Sequence, residues 1–135
     1  MNNYGKLGFA AALLAVMSFA GCTARNGGTV KIVSISPEPY STVRAGDKVD
    51  LKVVVDYTLE KKSAVISLVV QKEDNSSLGT SRETVKAGSG SVVLAQSFIV
   101  PETRIVSVFV PMDLEGSTKT MIVDSRTYNI APRKK

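Results

Sequence analysis

Between Lys48 and Leu59 the chain alternates with a strict period of two. Val49, Leu51, Val53, Val55, Tyr57 and Leu59 occupy one phase, and Lys48, Asp50, Lys52, Val54, Asp56 and Thr58 the other. In an extended strand that period sends one set to each side of a sheet, whereas a helix would scatter both sets around its axis. The segment therefore predicts a β-strand with one apolar and one largely charged face. Such a strand is stable only when a second apolar layer covers it.

The rest of the chain supplies candidates for that layer. Val/Ile/Thr-rich runs recur at intervals of about ten residues, separated by Gly, Pro, Asn and Ser, which is the pattern of a sandwich or barrel. Strand A is expected at Val30–Ser36, ended by the Pro37 and Pro39 pair, and strand B at Lys48–Leu59. Strand C follows at Ala64–Lys72, and a polar turn at Glu73–Ser77 leads into strand D at Leu78–Lys86. A second turn, Ala87-Gly88-Ser89-Gly90, precedes strand E at Ser91–Val100, which Pro101 closes. Strand F is expected at Ile105–Met112, a hairpin turn at Leu114–Ser117, and strand G at Lys119–Ile130. No stretch between Val30 and Ile130 has helical periodicity. The fold class is thus all-β: an antiparallel sandwich of about seven strands over residues 30–131, with a basic tail at 132–135.

The segment Val43-Arg44-Ala45-Gly46-Asp47-Lys48-Val49-Asp50-Leu51 resembles the approach to strand B in bacterial immunoglobulin-like and fibronectin-III-like domains, where a Gly-Asp turn precedes alternating apolar residues. The resemblance implies an immunoglobulin-like sandwich in which strands C, F and G share a sheet. Paired cysteines and a core Trp are absent. The core must then rest on Val, Ile and Leu, with a few Phe and Tyr.

Composition narrows the chemistry. There is no His and a single Cys, so an imidazole base, a Ser-His or Cys-His nucleophile, a His-ligated metal and an internal disulfide are all excluded. Neither Ser-x-x-Lys nor Gly-x-Ser-x-Gly occurs. Asp47 with Asp50, and Glu73 with Asp74 and Asn75, offer oxygen ligands without calcium-loop spacing. Turn acids of this kind ordinarily bond nearby backbone N–H groups. The expectation is a protein without enzymatic activity, metal or cofactor.

The formal charge of +5 suggests an acidic partner until it is located. The span Val30–Ile130 holds twelve basic and twelve acidic residues. The excess lies in Lys6, Arg25 and the terminal Arg133, Lys134 and Lys135. A neutral body argues against nucleic-acid binding.

At the N-terminus a charge-poor stretch ending near Lys6 and Leu7 leads into the mainly apolar run Phe9–Ala20, then Gly21 and Cys22. That is a secretory signal layout. As a helix the run reaches about 18 Å, short of a hydrocarbon core of about 30 Å. Cleavage after Ala20 would satisfy the small-x-small rule at Ser18-Phe19-Ala20, but it leaves Cys22 as an odd thiol in an oxidising compartment.

The residues Ala20-Gly21-Cys22 resemble the lipobox of bacterial lipoproteins. That resemblance implies a signal peptide over residues 1–21, a diacylglycerol thioether on Cys22 and an acylated new amino terminus. Two or three chains at about 0.8 kcal/mol per buried methylene hold a protein on a membrane where one does not. Residues 22–29 then form a short polar tether, so the domain works near the bilayer. Thr23, rather than Asp, after the cysteine implies the outer membrane in a Gram-negative host.

The remaining candidate is a surface. Strands C, F and G carry apolar residues on both phases, so the outer face of their sheet is expected to keep a stripe made of Val65, Val69, Ile105, Phe109 and Tyr128. Contiguous apolar surface of this kind marks a partner site. The expected role is a protein-binding or assembly module meeting an envelope protein. The alternative is recognition of cell-wall polysaccharide or peptidoglycan through the polar loop Glu73-Asp74-Asn75. Ring stacking on sugars is disfavoured, because Trp is absent and Tyr40, Tyr57 and Tyr128 are scattered.

Overall fold

A computed structural model describes residues 27–117 and 122–134; the signal segment and Cys22 lie outside the described residues. Among the described residues every regular element is a strand. They are β1 (Gly28–Ser36), β2 (Val43–Arg44), β3 (Lys48–Lys72), β4 (Ser77–Ile99), β5 (Ile105–Leu114) and β6 (Ile122–Ala131). Hydrogen bonding follows the order β1–β3–β5–β6–β2, with β4 on the remaining side of β3. All pairs are antiparallel except β2 with β6.

The alternation around Lys48–Leu59 holds: Leu51, Val53, Val55 and Leu59 are buried while Asp50, Lys52, Asp56 and Thr58 are exposed. Expected strands B and C are, however, one continuous 25-residue strand, and D and E one 23-residue strand. The reason is an uneven corner. Leu59 lies opposite Gly88 and Ser63 opposite Lys86, so three residues of β3 face the single Ala87. A bulge of this kind bends a ladder without breaking it. Gly88, at φ 117°, adopts the left-handed backbone the corner requires. Ala87–Gly90 therefore bends the strand, and the expected turn there is absent. The turn at 73–76 and the turn closed by Ser117 N–H donating to Leu114 O (3.0 Å) fall where the sequence placed them.

Below the corner the sheet turns over, and its two halves enclose one core. Leu51, Val53 and Val55 from the first half join Ile66, Leu68, Val70, Val106, Val108 and Val110 from the second. The sheet curls until β1 approaches β6. There the Ile32 N–H donates to Asp124 Oδ2 (2.8 Å), Arg126 Nη2 donates to Ile32 O (3.2 Å), and Arg126 Nη1 bonds Asp124 Oδ1 (3.0 Å). A side-chain pair thus closes a seam that no backbone ladder closes.

Two boundaries differ from expectation. β1 starts at Gly28, so Gly28 and Thr29 of the expected tether pair with Leu59 and Thr58, and Glu60 N–H donates to Gly27 O (2.8 Å). A Cβ on Gly28 would lie 2.6 Å from Thr58 O, so only glycine admits this approach. In the tail, Arg133 Nε donates to Glu102 Oε2 (2.8 Å), which ties down part of the expected free terminus.

Asp124→Ala should lower unfolding free energy by about 1–3 kcal/mol, since it orphans the Ile32 N–H at the seam. A shift of the urea midpoint at unchanged slope checks this; an unmoved midpoint would show the seam to be dispensable.

Candidate interaction face

The second half of the sheet has an inner face fixed by even-numbered residues: Ile66, Leu68 and Val70 on β3, and Val106, Val108, Val110 and Met112 on β5, all at most 1% exposed. Odd residues consequently point outward. Val65 and Val69 on β3 and Ile105 and Phe109 on β5 are half-buried on that outer side. Val69 is directly opposite Phe109 across the β3–β5 ladder, and Phe109 is opposite Ser125 of β6. These two side chains form the centre of the patch, since directly opposed residues on one face are in contact range.

Tyr128 does not belong to this stripe. It pairs with Val106, is 3% exposed, and its hydroxyl donates to Pro37 O. The physical reason is register: β5 and β6 pair residues of equal parity, as in Met112 opposite Ile122, so Tyr128 joins the even, inward set. The outward β6 residues are Val123, 53% exposed, and Ser125 and Thr127. Val123 lies opposite Pro111, and these two extend the apolar patch where the sequence reading had not placed them. The parity of the neighbouring strand was the signal that identifies them, and it becomes readable only with the hairpin register.

Hydroxyl-bearing residues border the patch: Ser107 and Thr127 face each other beyond Phe109, and Thr80 lies opposite Val69 on β4. The face is therefore an apolar centre with a polar margin, the usual anatomy of a protein contact.

The loop acids are engaged locally. The Glu73 carboxylate receives the Arg104 guanidinium, with Nε to Oε2 at 3.1 Å, and this contact holds its pKa below the ordinary glutamate value. Asp74 Oδ1 accepts from the Ser76 N–H (3.0 Å) and hydroxyl (2.6 Å), which likewise lowers its pKa. Together these bonds build the turn in which Asn75 takes φ 70°. Asp47 accepts from Arg44 N–H (3.0 Å) and Asp50 from the Ser97 hydroxyl (2.6 Å). No group of three or more metal-ligating side chains comes together among the described residues.

No family model and no curated protein matches the chain. Among solved structures it is similar to a glycosyl hydrolase family 2 member from Bacteroides cellulosilyticus DSM 14838, with a TM-score of 0.52 and 12% identity. The match covers 76% of this chain and 14% of that one. At that identity the likeness concerns fold alone: the chain is a β-sandwich-type domain.

Burial pushes the Tyr128 phenol up to about 12. The fold holds the neutral form, so the contribution of Tyr128 is complete below about pH 10, where an unfolded tyrosine titrates, and is lost as pH rises through about 12. Tyr128→Phe should cost about 1 kcal/mol at neutral pH and remove this part of the alkaline loss, read by denaturant melts at pH 7, 10 and 12.

Proposed function

We propose that the chain is a membrane-anchored cell-envelope lipoprotein whose immunoglobulin-like domain is a non-catalytic protein-binding or assembly module. The observation that carries the binding role is the apolar patch of partly buried Val65, Val69, Phe109 and Pro111 and exposed Val123 across β3, β5 and β6. A solvated sheet face ordinarily presents polar residues. The first half of this same sheet turns Asp50, Lys52 and Asp56 outward, with Val93 and Ile99 exposed beside them. Val30–Ile130 is charge-balanced, which suits a partner recognised by shape and apolar area. The strand order β1–β3–β4 and β4–β3–β5–β6 around a bent hairpin supports the immunoglobulin-like reading, since it distributes the strands over two layers as in such sandwiches.

The anchor rests on Ala20-Gly21-Cys22. Because β1 begins at Gly28, a lipid on Cys22 would sit within about 20 Å of the domain along an extended chain. A partner of such a module lies in or beside the same membrane.

Two experiments test the reading. Cys22→Ser should move the protein from the membrane fraction into the soluble fraction and abolish acylation of the N-terminal peptide in mass spectra; continued membrane association would remove the lipid anchor. Phe109→Arg should leave the strand signal in circular dichroism intact and remove cross-linked envelope-protein adducts of the full-length chain in its host. Adducts that survive this substitution, or binding to isolated cell-wall polymer in their place, would overturn the protein-contact assignment.

A further inference from the structure

Pro111 lies in β5, a strand paired on both sides, with β3 and with β6. Proline is rare in such a strand because it removes a ladder donor, and the geometry shows which bond is lost. Glu115 N–H donates to Ser63 O (3.0 Å), so the backbone of position 115 faces β3. Direction repeats at every second residue of an antiparallel strand, and positions 113, 111 and 109 therefore face β3 as well. The β3–β5 register is the same at Ile66–Met112 and at Val69–Phe109, with the ladder interrupted between them. Ser67 thus stands opposite Pro111. Its carbonyl points at a nitrogen that carries no hydrogen.

The side chain of Ser67 has the same deficit. Apart from Tyr128, Ser67 is the only buried residue with a polar side chain among the described residues, at 8% exposed. The Tyr128 hydroxyl donates to Pro37 O, whereas the Ser67 hydroxyl bonds none of the described residues. A buried hydroxyl and a buried carbonyl without partners each cost free energy. Here both sit at one point of the outer face, inside the patch of Val65, Val69 and Phe109, whose side chains offer no donor. A donor arriving from outside gains a bond that the fold leaves unmade.

The neighbours select the chemistry of that donor. Val65, Val69, Phe109 and Pro111 favour an apolar body over a hydrated one. Arg82, exposed and directly opposite Ser67 on β4, disfavours a cationic donor and attracts the face of an aromatic ring. A carbonyl calls for a donor, and an indole N–H is a donor only. We infer that the protein partner of this face inserts a tryptophan side chain, its ring over Ser67 beside Arg82 and its N–H on the Ser67 carbonyl. The inference rests on the protein-binding reading of the same patch and names the anchor that such a partner carries.

Indole and benzofuran have nearly the same size and shape and differ in an N–H against a ring oxygen, so together they probe the donor alone. Titrated into the isotope-labelled full chain, indole should shift the amide signals of Ser67, Leu68 and Phe109. Benzofuran should bind about three- to tenfold more weakly, the range of a single net hydrogen bond. Pro111→Ala supplies the missing N–H and should erase the preference for indole at unchanged or increased unfolding free energy, an effect that a purely structural role of Pro111 would not produce. Ser67→Ala, which keeps the carbonyl, should retain the preference. No indole shifts around Ser67, equal affinity for the two probes, or an undiminished preference in Pro111→Ala would each overturn the inference. The broader reading fails separately: cross-linked adducts that survive Phe109→Arg remove the protein contact whichever probe binds.

Discussion

The backbone of Ile32 is held by Asp124 and Arg126 rather than by another strand, and the closure of the domain depends on that substitution. A curled sheet with β1 at one side and β6 near the other leaves two edges that no backbone ladder joins. A carboxylate and a guanidinium supply the missing acceptor and donor, and they bond each other as well (3.0 Å). Charge-assisted bonds of this type are stronger than neutral ones, and here they also fix which residue of β1 faces β6. The bulge between Ile32 and Ser34 lies immediately beyond this point, so the strand departs from regular pairing only after the seam has been made. The direction in which the β3 and β4 residues of the first half bond, from Lys48–Ile99 to Leu59–Gly88, follows from this one residue.

Much of the architecture could be read from residue order because alternation reports the face of a half-buried strand directly. Lys48–Leu59 is the clearest case, and the placement of the other expected strands followed from similar runs and their turn residues. What could not be read was connectivity at the corner. Ala87-Gly88-Ser89-Gly90 has turn composition, yet whether glycines bend a strand or end it depends on the partner strand opposite, here Leu59 to Ser63. The same holds for the apolar patch. Val65, Val69, Ile105 and Phe109 were named because their strands are apolar on both phases, whereas Tyr128 and Val123 exchanged faces since the hairpin register between β5 and β6 is not written in either strand alone. Gly27 and Gly28 illustrate a third limit: a glycine pair reads as linker, but Gly28 is small because a carbonyl lies where its side chain would be.

The two halves of the sheet thus present different exteriors while sharing one core. One shows Asp50, Lys52 and Asp56 to solvent together with Val93 and Ile99; the other keeps Val69 and Phe109 partly buried on its outer side. The difference arises from the long hairpin of β3 and β4, since each strand passes from one half to the other and must change its pattern at the corner. Residues after Ser63 in β3 are apolar on both phases, and those before it on one.

β1 and β6 run in the same direction, so the chain enters at the end of the domain near Gly27 and Leu114 and leaves at the opposite end, beside Arg44 and Pro132. A pull on the two termini acts along the strands. It loads the eight β1–β3 residue pairs and the Ile32 seam together in shear, instead of peeling them one after another. Resistance to such a pull would be concentrated in the first strand.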